Sequence, residues 1–283
     1  MTTQFSPLSS VLSLDAYAQA RQLKHALANR LNGWTAAPDP AFYSCNMPNG
    51  ASAVLFLLGM MPNARGGRAE PSLILTRRSP QMRQSGDLCC PGGGIEPMRD
   101  RWMARLVGLP GLPLSRWRFW RQWRRLHPRR NDCLPLLLAA ALREAIEEMR
   151  LNPLRITFLG PLPPQPLVMF ARTIYPLAAW ANGRPRFFPN WEIDKIVAAP
   201  LCALLDAGRY RRLRIYGNHS PRKVWEMLCF CHFDGRDIDI LWGATLRITV
   251  HFLTIAFGFQ APELTDLPVI ERRLTPAYVN RGP

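Results

Sequence analysis

Several things are scarce in this chain of 283 residues, and each scarcity narrows its function. Acids are outnumbered, 20 Asp and Glu against 36 Lys and Arg, so the formal charge is +16. That balance disfavours polycationic partners and favours polyanions: nucleic acid, acidic lipid or phosphorylated small molecules. Cysteine numbers seven, an odd count for a disulfide framework. Neither Cys89-Cys90 nor Cys229-x-Cys231 has zinc-finger spacing, so buried thiols in a reducing, cytoplasmic compartment are expected. Histidine is sparse, and His127, His219, His232 and His251 lack ligand spacing. No basic segment followed by an apolar core opens the chain, so no secretory signal is expected. A membrane-spanning helix needs about 20 mostly uncharged apolar residues. The most apolar late stretch, 241–259, is interrupted by Arg247 and His251 and reads as a buried soluble helix. No internal repeat is visible.

What is present is a mixture of strand and helix patterns. Residues 13–31 have helical spacing, with Asp15 as a candidate cap and Asn32-Gly33 as a stop. Segments 51–59 and 73–76 read as strands joined in a hairpin, and 88–90 leads into the turn Pro91-Gly92-Gly93-Gly94. Residues 136–149 form a helix with an apolar first half and a charged second half. Strands are expected at 156–159, 171–177, 194–198, 224–232 and 238–241, and a second long helix at 243–257. Strands and two major helices in mixed order predict an α+β fold or a layered α/β/α sandwich.

Two segments concentrate the chemistry. In the run Arg143-Glu144-Ala145-Ile146-Glu147-Glu148, three glutamates stand at i, i+3 and i+4 and share one helix face. Like charges at this spacing repel by a few tenths of a kcal/mol per pair (~0.2–0.5). A hard divalent cation such as Mg2+ or Mn2+ offsets that repulsion and can be shared with substrate phosphates. A solvated helix face, with Arg143 and Arg150 as local partners, is the alternative. The preceding glycine turn favours the site, because Gly92 to Gly94 can bring backbone close to a metal or phosphate.

The second segment, 99–133, holds ten arginines, two aspartates and four of the nine tryptophans, and about half the net charge. Within residues 115–130, Trp117, Trp120 and Trp123 recur every three residues on one side of a short helix. Four roles are open: a lid stacking tryptophan on a base, an RNA contact, a basic helix on an anionic membrane, or a helix packed on the domain or on a second subunit of a homodimer.

The acidic run with Leu151 resembles the second half of the Nudix box, and Pro91-Gly92-Gly93 resembles the turn that opens that box. Upstream, Leu75-Thr76-Arg77-Arg78-Ser79, Arg83, Gly86 and Cys90-Pro91-Gly92-Gly93 resemble the signature of the Nudix coenzyme A diphosphatases. Residues 139–148, 160–164 and Trp242-Gly243-Ala244-Thr245 are similar to the same subfamily. The pattern departs at Arg150, where the box has glycine, and at Cys90, where the subfamily has phenylalanine. Arg83 to Gly86 is one residue short. The Arg/Trp-rich insertion at about 99–133 splits the box, so its first glutamate has no clear counterpart.

The resemblance implies a Nudix-type α/β/α sandwich with a mixed sheet at 49–260, after an N-terminal helical extension (1–48) and before a C-terminal tail (261–283). It implies hydrolysis, dependent on Mg2+ or Mn2+, of a nucleoside diphosphate derivative. Coenzyme A or acyl-coenzyme A is the first candidate, giving 3′,5′-ADP and a 4′-phosphopantetheine. The alternatives are a nucleotide sugar, a dinucleotide, an RNA 5′ end, or a non-catalytic binding protein. Carried over, Glu144 and Glu148 are metal ligands, Glu147 is a ligand or water-orienting base, and Arg143 holds the constellation. Arg77, Arg78, Arg83, Gly92 and Gly93 lie near the phosphates, and Glu192 is a downstream candidate base.

Overall fold

A computed structural model describes residues 16–35, 50–62, 68–127, 132–167, 172–216, 224–235, 237–274 and 278. The elements run α1 (Ala16–Thr35), β1 (Ala51–Met61), β2 (Glu70–Arg78), β3 (Leu88–Cys89), β4 (Gly92–Gly94), α2 (Pro97–Val107), α3 (Trp120–Leu126) and α4 (Cys133–Met149). There follow β5 (Ile156–Pro161), β6 (Gln165–Leu167), β7 (Arg172–Ala181), β8 (Ile193–Pro200), α5 (Leu201–Leu204), β9 (Tyr210–Tyr216), β10 (Val224–Asp234), β11 (Asp237–Trp242), α6 (Gly243–Phe257) and β12 (Val269–Arg273).

The main sheet is built on β1, which pairs parallel with β7 and antiparallel with β2 and β4. Buried on both faces, β1 is a near-continuous apolar run, as a central strand must be. Its alternation feeds two cores. Val54, Phe56, Leu58 and Met60 pack on the side of α1 and α6, while Ala53, Leu55 and Leu57 pack on the side of α4. Helices on both faces of a mixed sheet make the expected α/β/α sandwich.

Several boundaries differ from the sequence expectation. The first helix continues through Asn32 and Gly33 to Thr35, because Leu23, Leu27 and Leu31 are held by the core beneath them. Tertiary burial overrides the local stop signal; Ser13 to Asp15, including the candidate cap, lie outside the described residues. This helix is one layer of the sandwich and not an appendage. Likewise the segment after 260 enters the fold: β12 adds parallel to β9 in a second sheet, ordered β11-β10-β9-β12. That second sheet was not foreseen. Its strand β9 reads Tyr-Arg-Arg-Leu-Arg-Ile-Tyr, whose charge hides the buried positions Tyr210, Leu213 and Ile215.

The Arg/Trp-rich segment forms two helices, α2 and α3, around a turn. Trp117 stands in that turn, not on the helix. Its indole Nε1 donates to the Leu159 carbonyl at 3.1 Å, on β5 at the edge of the main sheet. Trp117 also meets Phe158 edge-on, and Trp123 is buried beside it, so the tryptophans cover a strand edge. The arginines between them face outward. Packing on the domain's own sheet is therefore the role the structure displays for this segment. No helix among the described residues is long and apolar enough to cross a membrane.

Candidate active site

The C-terminal half of α4 meets the glycine turn beside the start of β1. There β4 pairs with Ser52 to Val54, and the Leu55 amide donates to the Pro91 carbonyl at 2.8 Å. The closeness of this meeting explains both glycines. Gly92 has φ +148°, and a Cβ there would lie 2.4 Å from the Ala53 carbonyl oxygen. A Cβ on Gly93 would lie 2.5 Å from Glu144 Oε1, in the space the carboxylate occupies. The turn is thus built to touch the acids, and the Gly92 amide donates to Glu148 Oε2 at 3.3 Å.

The three glutamates are not equivalent. Glu148 is buried, Glu144 is half-buried, and the Glu147 side chain is 51% exposed. Burial, then the charges of Glu144 and Glu192, push the Glu148 carboxyl up to about 8, against the Gly92 amide and the Arg78 charge. Burial also raises Glu144, helped by Glu147 and Glu192 and opposed by Arg143. Glu192 therefore stands within electrostatic reach of the acidic helix. It is held there by its backbone: its amide donates to Asn190 Oδ1 at 2.9 Å, and its carbonyl accepts from the Ser79 amide at 2.8 Å.

Arg143 is the brace. Its Nε donates to Asp100 Oδ1 at 2.8 Å, its Nη2 to the Gly94 carbonyl at 2.9 Å, and its Nη1 to Glu144 at 3.0 Å and Glu147 at 3.5 Å. Burial alone would lower its pKa, but the Asp100 and Glu144 carboxylates hold it above the ordinary value. Asp100 is 0% exposed and also accepts the Glu96 amide at 2.6 Å. It belongs to α2, at the start of the segment that splits the box. Sequence reasoning passed over it because the split box leaves the first glutamate without a clear counterpart, in a segment whose composition draws attention to arginine. The usable signal was an acid in the first turn of a helix opened by Pro97.

The arginines divide. Arg78 reaches the acid cluster electrostatically, and its Nε donates to the Arg83 carbonyl at 2.8 Å. Arg83 lies exposed on the loop after β2. That loop is tied down by Asp87, which accepts from Arg272 at 2.8 Å, from Trp242 Nε1 at 3.1 Å and from the Tyr278 hydroxyl. Arg77 points elsewhere. It pairs with Asp194 and with buried Asp239, so its charge is spent on holding the main sheet to the second sheet.

Arg150 ends α4 with φ 52° and ψ 41°, the left-handed cap that glycine usually supplies. The structure explains why the box has glycine there and shows that the same backbone forms with arginine.

Among the described residues, no three His, Cys, Asp or Glu side chains converge as a ready metal cage. The carboxylates of Glu144 and Glu147 turn to Arg143. The donor chemistry still suits a hard cation: crowded carboxylates, one of them raised by its burial and then by its neighbours. Magnesium is commonly held by only one or two carboxylates, with waters and substrate phosphates completing its shell.

No family model matches the chain. Curated relatives do. An uncharacterized Nudix hydrolase NudL of Escherichia fergusonii is 25% identical over 194 residues, 68% of this chain and 79% of the relative. Its counterpart in Cronobacter sakazakii is 25% identical over 182 residues, 64% and 73% of the two chains. Among solved structures, the Nudix hydrolase RenU of M. smegmatis aligns over 53% of this chain and 70% of its own, at 16% identity and a TM-score of 0.34. The chain is thus similar to curated Nudix hydrolases over most of their length, which supports a hydrolase acting on pyrophosphate bonds.

Proposed function

We propose that this chain hydrolyses the diphosphate bridge of coenzyme A or an acyl-coenzyme A, releasing 3′,5′-ADP and a 4′-phosphopantetheine. The observation that carries the reading is the joining of two separate sequence signals at one place. The coenzyme A-type signature, 75–93, lies on β2 and the glycine turn, and these border the carboxylates of α4 through Gly92, Gly93 and Arg78.

Glu144 and Glu148 would hold Mg2+ or Mn2+, with the Gly93 backbone beside them. When bound, the cation neutralises charge on the phosphates and makes a coordinated water more acidic. The chain's own residues do the rest. Arg143, fixed by Asp100 and Gly94, keeps Glu144 and Glu147 on the turn-facing side of α4. Arg78 offers its guanidinium to phosphate oxygens, and Arg83 extends that positive edge. In the reaction a water oxygen bonds to one phosphorus, the bridging P–O bond breaks, and the leaving phosphate takes the electron pair. The water proton passes to a carboxylate oxygen. Glu147, the most exposed acid of the run, is assigned that role, and Glu192 approaches from the β8 side. Arg77 is left out of the substrate contacts because Asp194 and Asp239 occupy it.

The test is a metal-dependent assay of the purified chain against coenzyme A, acyl-coenzyme A, NADH, ADP-ribose, a nucleotide sugar and capped RNA. The highest kcat/KM is expected for coenzyme A or its thioesters, with 3′,5′-ADP as product. A clear preference for another substrate would overturn the substrate assignment. Absence of metal-dependent cleavage of every substrate would overturn the mechanism.

A further inference from the structure

Far from the carboxylates, α1, the Arg116–Arg118 turn, the start of β5 and the end of β7 line a cavity of about 740 Å³. That volume falls within the range of small-molecule sites, roughly 300–1,000 Å³. It is separate from the acid cluster on two counts. The glycine turn pairs with the start of β1 at Ser52 to Val54, whereas the cavity reaches the end of that strand at Met60. At about 3.3 Å per residue, the seven steps from Ala53 to Met60 span about 23 Å. Met60, Leu159 and Trp180 also belong to the core on the α1 side of the sheet, opposite α4, and the cavity reaches Trp117 and Phe158 of the other core only around the β5 edge.

The lining has an uneven chemistry. Its floor is apolar, formed by Ala28, Met60, Leu159 and Trp180. Around it stand Arg21, Lys24, His25, Arg116, Arg118 and Arg184, and no aspartate or glutamate among the described residues lines it. A positive protein does not require this pattern. On the second sheet Arg214 is matched by Glu226 and Glu271. Here cations converge on a concavity without a carboxylate, and a low-dielectric wall behind them focuses their field. Lys24 donates to Asn182 Oδ1 at 2.8 Å, and Asn182 Nδ2 donates to Thr157 Oγ1 at 3.0 Å, so a fixed polar chain lies among the charges. Burial, then the Arg21 charge, lowers the Lys24 ammonium, the direction expected of crowded cations awaiting a counter-charge.

We propose that this cavity binds a phosphorylated small molecule of nucleotide size, with its phosphates on the Arg21, Lys24, Arg116 and Arg184 rim and its less polar part on the Met60–Trp180 floor. The proposal is independent of the hydrolysis assigned to the α4 site. Occupancy would tie α1 and the Arg/Trp-rich segment to the sheet, coupling ligand binding to the stability of that face.

The experiment uses the full chain with divalent metal chelated and ADP as probe. Photolabelling with 8-azido-ADP, followed by peptide mapping, is expected to mark residues 20–28, 116–118 or 180–184. Inorganic pyrophosphate is expected to displace the label and adenosine is not. In calorimetry, Lys24→Glu with Arg184→Glu is expected to weaken ADP binding by about tenfold or more, as loss of charge-assisted hydrogen bonds does. Metal-dependent turnover should stay near wild type. Should the double variant fail to fold, Arg184→Glu alone, on an exposed side chain, carries the same expectation at smaller size. Label confined to residues 78–94 and 144–148 would overturn the proposal. So would unchanged affinity in these variants, or displacement by adenosine alone. Binding of single-stranded RNA through these same residues, with no ADP binding, would also overturn it.

Discussion

The acidic end of α4 and the Arg/Trp-rich segment look alike as sequence: each is a dense charged run beside apolar residues. The fold treats them in opposite ways. In α4 the charges turn inward, against a glycine turn that leaves room for carboxylates, and a buried arginine is braced between them. In the second segment Trp117 and Trp123 turn inward and the arginines outward, so these two tryptophans close a strand edge. A charged run becomes a site when the backbone opposite it is shaped to receive the charges. The two regions are also joined, since Asp100 of α2 holds the arginine that holds the glutamates.

The largest expected effect tests the inward charges. Glu148→Gln and Gly93→Ala should each lower metal-dependent kcat/KM by about a thousandfold, roughly 4 kcal/mol of transition-state stabilisation. Equal activity in either variant would remove the site from α4. Asp100→Ala should be costly in a different way. It leaves the Arg143 guanidinium buried without its main anion, and breaking such a pair costs about 3–5 kcal/mol. Denaturant unfolding should show the loss, with activity falling in parallel; a change of only a few tenths would mean that the brace is dispensable.

The outward segment offers a contrast within itself. Trp117→Ala should cost about 3 kcal/mol or more, because it empties a packed position and orphans the Leu159 carbonyl. Trp102 is 64% exposed, and its replacement should move stability by less than about 0.5 kcal/mol. Equal effects would show that the tryptophans do not sort as the structure has them.

The Glu148 shift makes a pH prediction. Its pKa rises from 4.5 to about 8 on folding, so between those values the folded chain binds more protons than the unfolded one. Stability of the metal-free chain should therefore fall as pH rises from about 4.5 to about 8. Mn2+ or Mg2+ should raise the melting temperature more at the upper end than at the lower, because the cation needs the ionised carboxylate. A Glu148→Gln variant should lose most of this pH dependence. The smallest effect is at the helix cap: Arg150→Gly should stabilise the chain by about 1 kcal/mol, relieving a left-handed non-glycine residue.

Much of this was legible in the residues. The helices at 136–149 and 243–257 follow from long apolar stretches broken only by charged or polar positions, and the structure has them at Cys133–Met149 and Gly243–Phe257. The acid run and the Gly92-Gly93 turn stood out as parts of one candidate site, and the structure brings them into contact. What stayed hidden shares a cause. Asp100 lies in a segment whose composition draws attention to arginine, β9 carries three arginines between its buried residues, and β12 has too few residues for a period to show. Arg77 and Arg78 are adjacent and chemically identical, yet strand alternation sends one to Asp194 and Asp239 and the other toward Glu148.

By itself the sequence determined the elements with strong periodicity, the positive charge, the acidic helix face and the need for glycine at the turn. These are local properties, set by side-chain spacing and backbone sterics over a few residues. Only the tertiary structure decided which acid braces Arg143, which arginine faces the carboxylates, and that scattered cations from α1, the Arg116–Arg118 turn and the end of β7 line one cavity. Those outcomes depend on which distant segments the sheet brings together, and no local pattern encodes the meeting.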